Sequence, residues 1–144
     1  MAVTATPYGQ SFKSLGLGRF DFTTHTFKLL LTTSSYTPTF DLDEFRDDVT
    51  NEVTGTGYTA GGATLAGLSW VYDAANDRCQ LSCDPVTWTS ATFTARRGVI
   101  YRSTGTAATD PLLSWVDFGA NASPSGIDFT LTFPNGIYRL KLPA

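Results

Sequence analysis

The chain has 144 residues, of which 42% are apolar and 16% charged, and its formal net charge is −3. A chain of this length fits one domain whose hydrophobic core needs no metal ion or disulfide bond, and the acidic balance argues against a nucleic-acid-binding surface. Aromatic residues reach 13%, and together with abundant Thr they favour strands, because such side chains fit a pleated, half-buried surface.

The first 22 residues are rich in Thr, Gly and Ser, and Gly9, Gly16 and Gly18 interrupt any long helix. We predict one helical turn over Ser11–Leu15 within an otherwise extended arm. The segment lacks the basic and apolar regions of a signal peptide, and no apolar run in the chain approaches the ~20 residues that a membrane-spanning helix needs. We therefore expect an N-terminal arm, residues 1–22, and a single β-sandwich domain, residues 23–144, with no membrane partner.

Three features follow the arm in chain order. The apolar run over Thr26–Thr32 predicts a buried strand. Residues Asp41–Val49 begin with an Asp and carry several acids near their start, which predicts a short capped helix. Residues Thr54–Gly62 contain four glycines and predict a loop.

The middle of the chain predicts a β-hairpin. Residues Thr64–Asp73 alternate in polarity, with Trp70 and Tyr72 on one face, and a turn separates them from a second strand, Arg78–Cys83. Residues four positions apart in a strand lie about 13 Å from each other. A disulfide requires Cα atoms within roughly 7 Å, so we expect Cys79 and Cys83 to be reduced core residues.

The C-terminal part predicts five further strands. Their predicted ranges are Val86–Trp88, Thr92–Arg102, Leu112–Phe118, Ile127–Phe133 and Ile137–Leu142. We expect a bulge at Gly98, a polar loop over Gly119–Gly126, and Ile127, Phe129, Leu131 and Phe133 pointing into the core. A turn at Pro134–Gly136 predicts that the last two strands pair as a hairpin. Seven or eight short strands with turns between them predict an all-β fold, an antiparallel β-sandwich or a jelly-roll-like barrel with one or two short helices.

The residues that carry chemistry do not assemble into a catalytic motif. His25 is the single histidine, and Ser69 is followed two residues later by Val71 instead of the Gly that a nucleophile elbow requires. The glycine loop leads into a strand, whereas a dinucleotide-binding loop opens a helix. We therefore predict a protein that is not an enzyme and holds no cofactor; a glycosidase with paired carboxylates is a weaker alternative.

Two binding functions are alternatives at this point. The acidic residues Asp41–Asp48 could bind calcium, although Phe45 and Arg46 occupy positions where an EF-hand has an oxygen ligand and a Gly. Tryptophan rings could stack on a sugar. Trp70 and Trp115 alternate with polar residues as core residues do, so Trp88, near a turn, is the best exposed candidate.

Three segments resemble a family of small β-rich structural proteins of tailed bacteriophages. They are DFTTHTFKLLLTTSSYTPT (21–39), NEVTGTGYTAGGATL (51–65) and VTWTSATFTARRGVIYRSTGTAATDPLLSWVDFG (86–119). The resemblance covers about two-thirds of the chain in order. It departs at Arg96-Arg97, where we expect an Arg followed by an aromatic or small residue, and this pair marks an altered contact surface.

The resemblance implies a virion component that is assembled in the host cytoplasm. We expect a capsid decoration (cement) protein that binds the major capsid protein and itself, as a homotrimer, and stabilises the head lattice. A tail, baseplate or fibre module that binds tail or baseplate subunits, or a host glycan, is the alternative. The candidate contact residues are Tyr8, Phe12, Phe20, Phe22, Trp88, Arg96 and Arg97.

Overall fold

The computed structural model describes residues 1–143 and has the predicted all-β architecture with antiparallel strands. This part of the chain contains one α-helix, α1, and 3₁₀ turns at Arg46–Asp48 and Ala107–Thr109. Helix α1 spans Gly9–Gly16. The strands are β1 Thr6–Pro7, β2 Phe27–Thr32, β3 Ala63–Thr64, β4 Ser69–Asp73, β5 Arg78–Ser82, β6 Val86–Thr92, β7 Ala95–Arg102, β8 Leu112–Ala122, β9 Ser125–Leu131 and β10 Tyr138–Lys141.

The strands form three sheets with the orders β1-β8-β7-β2-β3, β10-β5-β4 and β6-β9. Strand β2, which the sequence predicted, pairs with β7 so that Leu29 faces Ile100 and Leu30 faces Val99. The alternate side chains Leu29 and Leu30 belong to two separate buried clusters, one on each face of the sheet. Because both faces are covered, the centre of β2, residues 29–31, is a continuous apolar run and does not alternate.

Residues 1–22 do not form the expected arm, because they pack into the domain. Strand β1 pairs with β8, and Val3 donates its backbone N–H to Thr132 at 3.0 Å. Helix α1 is longer than the predicted single turn, and its buried face presents Ser11 and Ser14. Small side chains on this face let the helix lie close to the sheet. The Gly- and Ser-rich composition that indicated an arm therefore serves close packing.

The predicted helix over Asp41–Val49 is also wrong, since only Arg46–Asp48 is helical. The carboxylate of Asp48 accepts the backbone N–H groups of Glu44 and Phe45, at 2.8 and 3.1 Å. Phe45 forms an isolated bridge with Pro111. Asp48 therefore caps the short 3₁₀ turn, and the bridge to Pro111 keeps Phe45 extended, so no helix continues back toward Asp41.

The last strand pairs differently from the prediction. Strand β10 lies beside β5, with Tyr138 opposite Leu81, and not beside β9. Ile137 donates its backbone N–H to the Leu81 carbonyl at 2.7 Å. Gly136 has a φ of 72°, and a Cβ there would lie 2.6 Å from the same carbonyl oxygen. The turn that suggested a hairpin instead redirects the chain to another sheet.

Strands β8 and β9 extend through the segment that was predicted to be a polar loop, since β8 ends at Ala122 and β9 begins at Ser125. Ile127 lies on this extension and is 62% exposed, whereas Leu131 is fully buried. The expected bulge at Gly98 is absent, because Gly98 pairs regularly with Leu31 and Val116 while the register shifts occur on either side of it.

Candidate interaction surface

Three of the predicted contact residues are buried in the folded chain. Tyr8, Phe20 and Phe22 are 0%, 8% and 7% exposed, so their assignment to a contact surface is wrong. The Tyr8 hydroxyl forms a 2.8 Å hydrogen bond with the hydroxyl of Tyr36, and burial raises the pKa of Tyr8. These side chains hold the N-terminal segment on the sheet.

Trp88 is also buried, at 5% exposure, which removes it as an exposed platform for sugar stacking. It sits on β6 directly opposite Phe129 of β9, and the two ring centroids are 5.9 Å apart. A nearby turn suggested exposure, but β6 continues past Trp88 to Thr92, and the Trp88 side chain belongs to the core cluster that also contains Phe93 and Phe129.

The Arg96 and Arg97 side chains bind their own chain. Their Nε atoms donate to the two carboxylate oxygens of Asp117, at 2.8 and 3.0 Å. Burial opposes ionisation of Asp117, but the hydrogen bond from Arg96 and the charge of Arg97 keep its pKa below the ordinary value. Arg97 also donates to the backbone carbonyls of Ser34 and Tyr36. This pair cross-links β7, β8 and the loop after β2, so its first role is structural.

Phe12 is the predicted aromatic contact residue that is well exposed, at 52%. It lies on α1, and its ring centroid is 6.4 Å from that of the buried Tyr138. Tyr138 in turn lies 6.4 Å from the half-buried Trp70 of β4. Tyr72, two residues along the same face of β4, is 53% exposed. We refer to Phe12, Trp70 and Tyr72 as the aromatic strip.

Strand β4 places this strip beside an open sheet edge. The predicted hairpin is confirmed, because β4 pairs in continuous register with β5, from Ser69 opposite Ser82 to Asp73 opposite Arg78. No other strand or bridge in residues 1–143 pairs with β4, which is the last strand of its sheet. Val71, at the centre of β4, is 58% exposed. We refer to the outer side of Ser69–Asp73 as the β4 edge.

The other sheet edges carry features that discourage pairing with a further strand. Natural proteins protect such edges with short strands, proline, charged side chains (lysine above all), bulges or a covering segment. Strands β1 and β3 have two residues each, and β1 includes Pro7. Strand β10 carries Arg139 and Lys141. Strand β6 is bulged after Trp88, and the C-terminal end of β9 is covered by residues 1–3, which bond to Thr130 and Thr132. The β4 edge carries a single such feature within its five residues, the charge of Asp73 at its C-terminal end.

A shallow groove of about 200 Å³ lies on the outer face of the β4–β5 hairpin. Its walls are formed by Ser69, Val71, Asp73, Arg78, Gln80 and Ser82. The hydrogen bond from Asn76 lowers the pKa of Asp73, and Arg78 lies 3.7 Å from the same carboxylate. The groove therefore offers hydroxyl, amide and charged groups that can bind a polar chain by hydrogen bonds.

Three of the acidic residues considered for calcium, Asp43, Glu44 and Asp48, are engaged with their own chain. Glu44 contacts the ammonium of Lys13 and the guanidinium of Arg19, each at 2.7 Å. Asp43 accepts hydrogen bonds from the Tyr36 hydroxyl and the Thr39 backbone. Within residues 1–143, no three His, Cys, Asp or Glu side chains converge as a metal site. No helix in that range is long and apolar enough to span a membrane.

Comparisons with protein-family models, curated proteins and solved structures found no match. The assignment of the candidate surface is therefore supported by the structure of this chain alone. Sequence reasoning placed Trp70 and Tyr72 on one face of a strand but did not select Val71 or Tyr72 as contact residues. The sequence does show that Ser69–Asp73 lacks Lys and Pro, two residues that protect edge strands. This absence indicates an open edge only once the strand is known to lie at the end of its sheet.

Proposed function

We propose that this chain is a non-enzymatic structural protein of a tailed-phage particle, and that it decorates the head by binding the major capsid protein. The observation that carries the proposal is the aromatic strip beside the β4 edge. Aromatic residues are enriched at protein interfaces because they bury a large area with few rotatable bonds. The resemblance of three sequence segments to phage structural proteins supplies the setting.

The packed N-terminal segment changes how such a protein would hold the lattice. A flexible arm pays an ordering cost when it binds. Residues 1–22 are already ordered by β1 and α1, so contact through a preformed surface avoids most of that cost. In this proposal, Phe12 on α1 and Tyr72 on β4 contact the capsid, and the antiparallel sheets hold them in a fixed relation.

Reconstitution on heads that lack the chain tests this proposal. A double variant, Phe12→Ala with Tyr72→Ala, removes two side chains that are 52% and 53% exposed and should keep its melting temperature. We expect binding to the heads at least 10-fold weaker than for the unchanged protein. The matched control is Ile127→Ala, an exposed apolar residue on β9 that lies outside the aromatic strip. Undiminished binding by the folded double variant would contradict the proposal.

A tail, baseplate or fibre module that binds a host glycan is the second proposal. Trp88 no longer supports it, but the polar groove on the β4–β5 hairpin does, since its hydroxyl, amide and charged groups suit sugar hydroxyls. Gln80→Ala should then weaken adsorption of the phage to its host and leave head binding unchanged. Unchanged adsorption would remove the support for glycan binding.

A further inference from the structure

We propose that the β4 edge pairs with the β4 edge of a second copy of this chain, as antiparallel strands related by a two-fold axis. Among the outermost strands of the three sheets in residues 1–143, β4 is the least protected, since its one charge, Asp73, lies at the end of the strand. Its central residue, Val71, exposes 58% of its surface to solvent. An open edge of this kind is a template for another strand.

The sequence of β4 fixes the register of such a pair. Residues that face each other across an antiparallel pair lie on the same side of the sheet. A two-fold pair must therefore be centred on one residue, which faces its own copy. Centring on Val71 pairs all five residues of β4, whereas centring on Trp70 or Tyr72 leaves two of the five without a partner.

The same register is complementary in its side chains. Trp70 faces Tyr72 of the second copy, and the two-fold axis repeats this pair, so four aromatic rings extend the aromatic strip across the contact. On the opposite side of the sheet, Val71 faces Val71 and Ser69 faces Asp73. Aromatic pairs and hydroxyl–carboxylate pairs both stabilise facing strands.

Charges do not oppose the pairing. Asp73 lies at the end of β4, so the two Asp73 side chains are at opposite ends of the paired strands. Arg78 of the same chain is 3.7 Å from each Asp73 carboxylate. Val71 is covered by its own copy, whereas Tyr72 lies beside Trp70 on the same face of the sheet, which leaves that face free for another partner, and no like charges face each other.

This contact closes at two copies, because an isologous interface uses the same surface on both. It is therefore distinct from a homotrimer, which must use another surface. Five paired residues form a small interface, so we expect association in dilute solution to be weak and to depend on concentration. The inference does not depend on the proposed head-binding role.

Sedimentation velocity of the full chain across a range of concentrations measures this association. We expect a species of twice the 15.5 kDa chain mass to increase with concentration. Val71→Lys places two ammonium groups opposite each other and should weaken dimer formation at least 10-fold. The matched control is Ile127→Lys, which makes the same charge change at a residue 62% exposed on β9 and should leave the dimer intact.

A mixture of two variants tests the register itself. Val71→Lys and Val71→Glu should each be monomeric, but mixed together they should form a heterodimer, because opposite charges then face each other. A dimer that Val71→Lys does not weaken, a trimer in place of a dimer, or a monomer at every concentration would overturn the pairing. Head binding is measured separately, so these outcomes leave the proposed decoration role to its own test.

Discussion

Replacing Phe22 with Ala tests whether the N-terminal segment belongs to the core. Phe22 is 7% exposed. Its ring centroid lies 4.7 to 6.0 Å from those of Phe20, Phe27, Trp70 and Tyr138. A buried Phe→Ala change costs about 3–5 kcal/mol, and with four aromatic neighbours we expect about 4 kcal/mol. For a chain of this size, that loss corresponds to a fall of about 15 °C in melting temperature.

The matched control for this change is Phe12→Ala, in the same segment but with a residue that is 52% exposed. Its removal should cost less than about 1 kcal/mol, as is usual at exposed positions. Urea denaturation followed by tryptophan fluorescence and thermal denaturation followed by circular dichroism measure both variants. If Phe22→Ala is as stable as Phe12→Ala, the segment is a detachable arm and the packing described above is wrong.

Three further changes probe the structure elsewhere. Asp110 is buried at 1% exposure and pairs with Arg46 at 2.8 Å, so Asp110→Asn should cost about 3 kcal/mol in urea denaturation at pH 7. Burial opposes ionisation of Asp110, but hydrogen bonds from Arg46 and Thr104 lower its pKa. The stabilisation from Asp110 is therefore complete above the pKa of its carboxyl group in the unfolded chain. The difference in free energy of unfolding between the unchanged protein and Asp110→Asn should decrease as the pH falls below about 4. A difference that does not change with pH would argue against the ion pair. Trp88→Ala should lower the free energy of unfolding by about 3–5 kcal/mol, and a stable variant with reduced host adsorption would restore Trp88 as a surface residue. Gly62→Ala should destabilise the chain by more than about 1 kcal/mol, since φ is +84° and a Cβ would lie 2.0 Å from the Leu29 carbonyl oxygen; an unchanged melting temperature would contradict this close approach.

Local patterns predicted the parts of the fold that depend on local pairing. The apolar run at Thr26–Thr32 became β2, and the alternation on either side of Asn76–Asp77 became the β4–β5 hairpin. Both signals concern residues that are close in sequence. The pairing of β10 with β5 places Tyr138 opposite Leu81. These residues are far apart in sequence, so the local turn signals do not predict that they pair.

The contact surface was harder to predict because exposure depends on what lies above a strand. Phe20 and Phe22 resembled an arm in sequence, yet they pack against Phe27 of β2. Ile127 continues the alternation of Phe129 and Leu131 but lies where β9 extends beyond the core. The open β4 edge is a property of strand order, which composition and periodicity do not contain.

The proposed role leads to a further expectation about the assembled particle. Weak contacts between copies become stronger when a lattice holds them near each other, because the second contact forms at a high effective concentration. Pairing through Val71 would then link neighbouring copies on a head surface even when the isolated chain is largely monomeric. When each variant is added to undecorated heads, Val71→Lys should bind with lower cooperativity than Ile127→Lys.

Electron cryo-microscopy of the phage particle that encodes this chain tests the central claim most directly. The account predicts density for the domain on the outer surface of the capsid lattice, with Phe12 and Tyr72 facing the major capsid protein and residues 1–22 folded onto their own domain. Density confined to the tail, the baseplate or a fibre would contradict the decoration role. Residues 1–22 extended onto a neighbouring subunit would contradict the packed N-terminal segment.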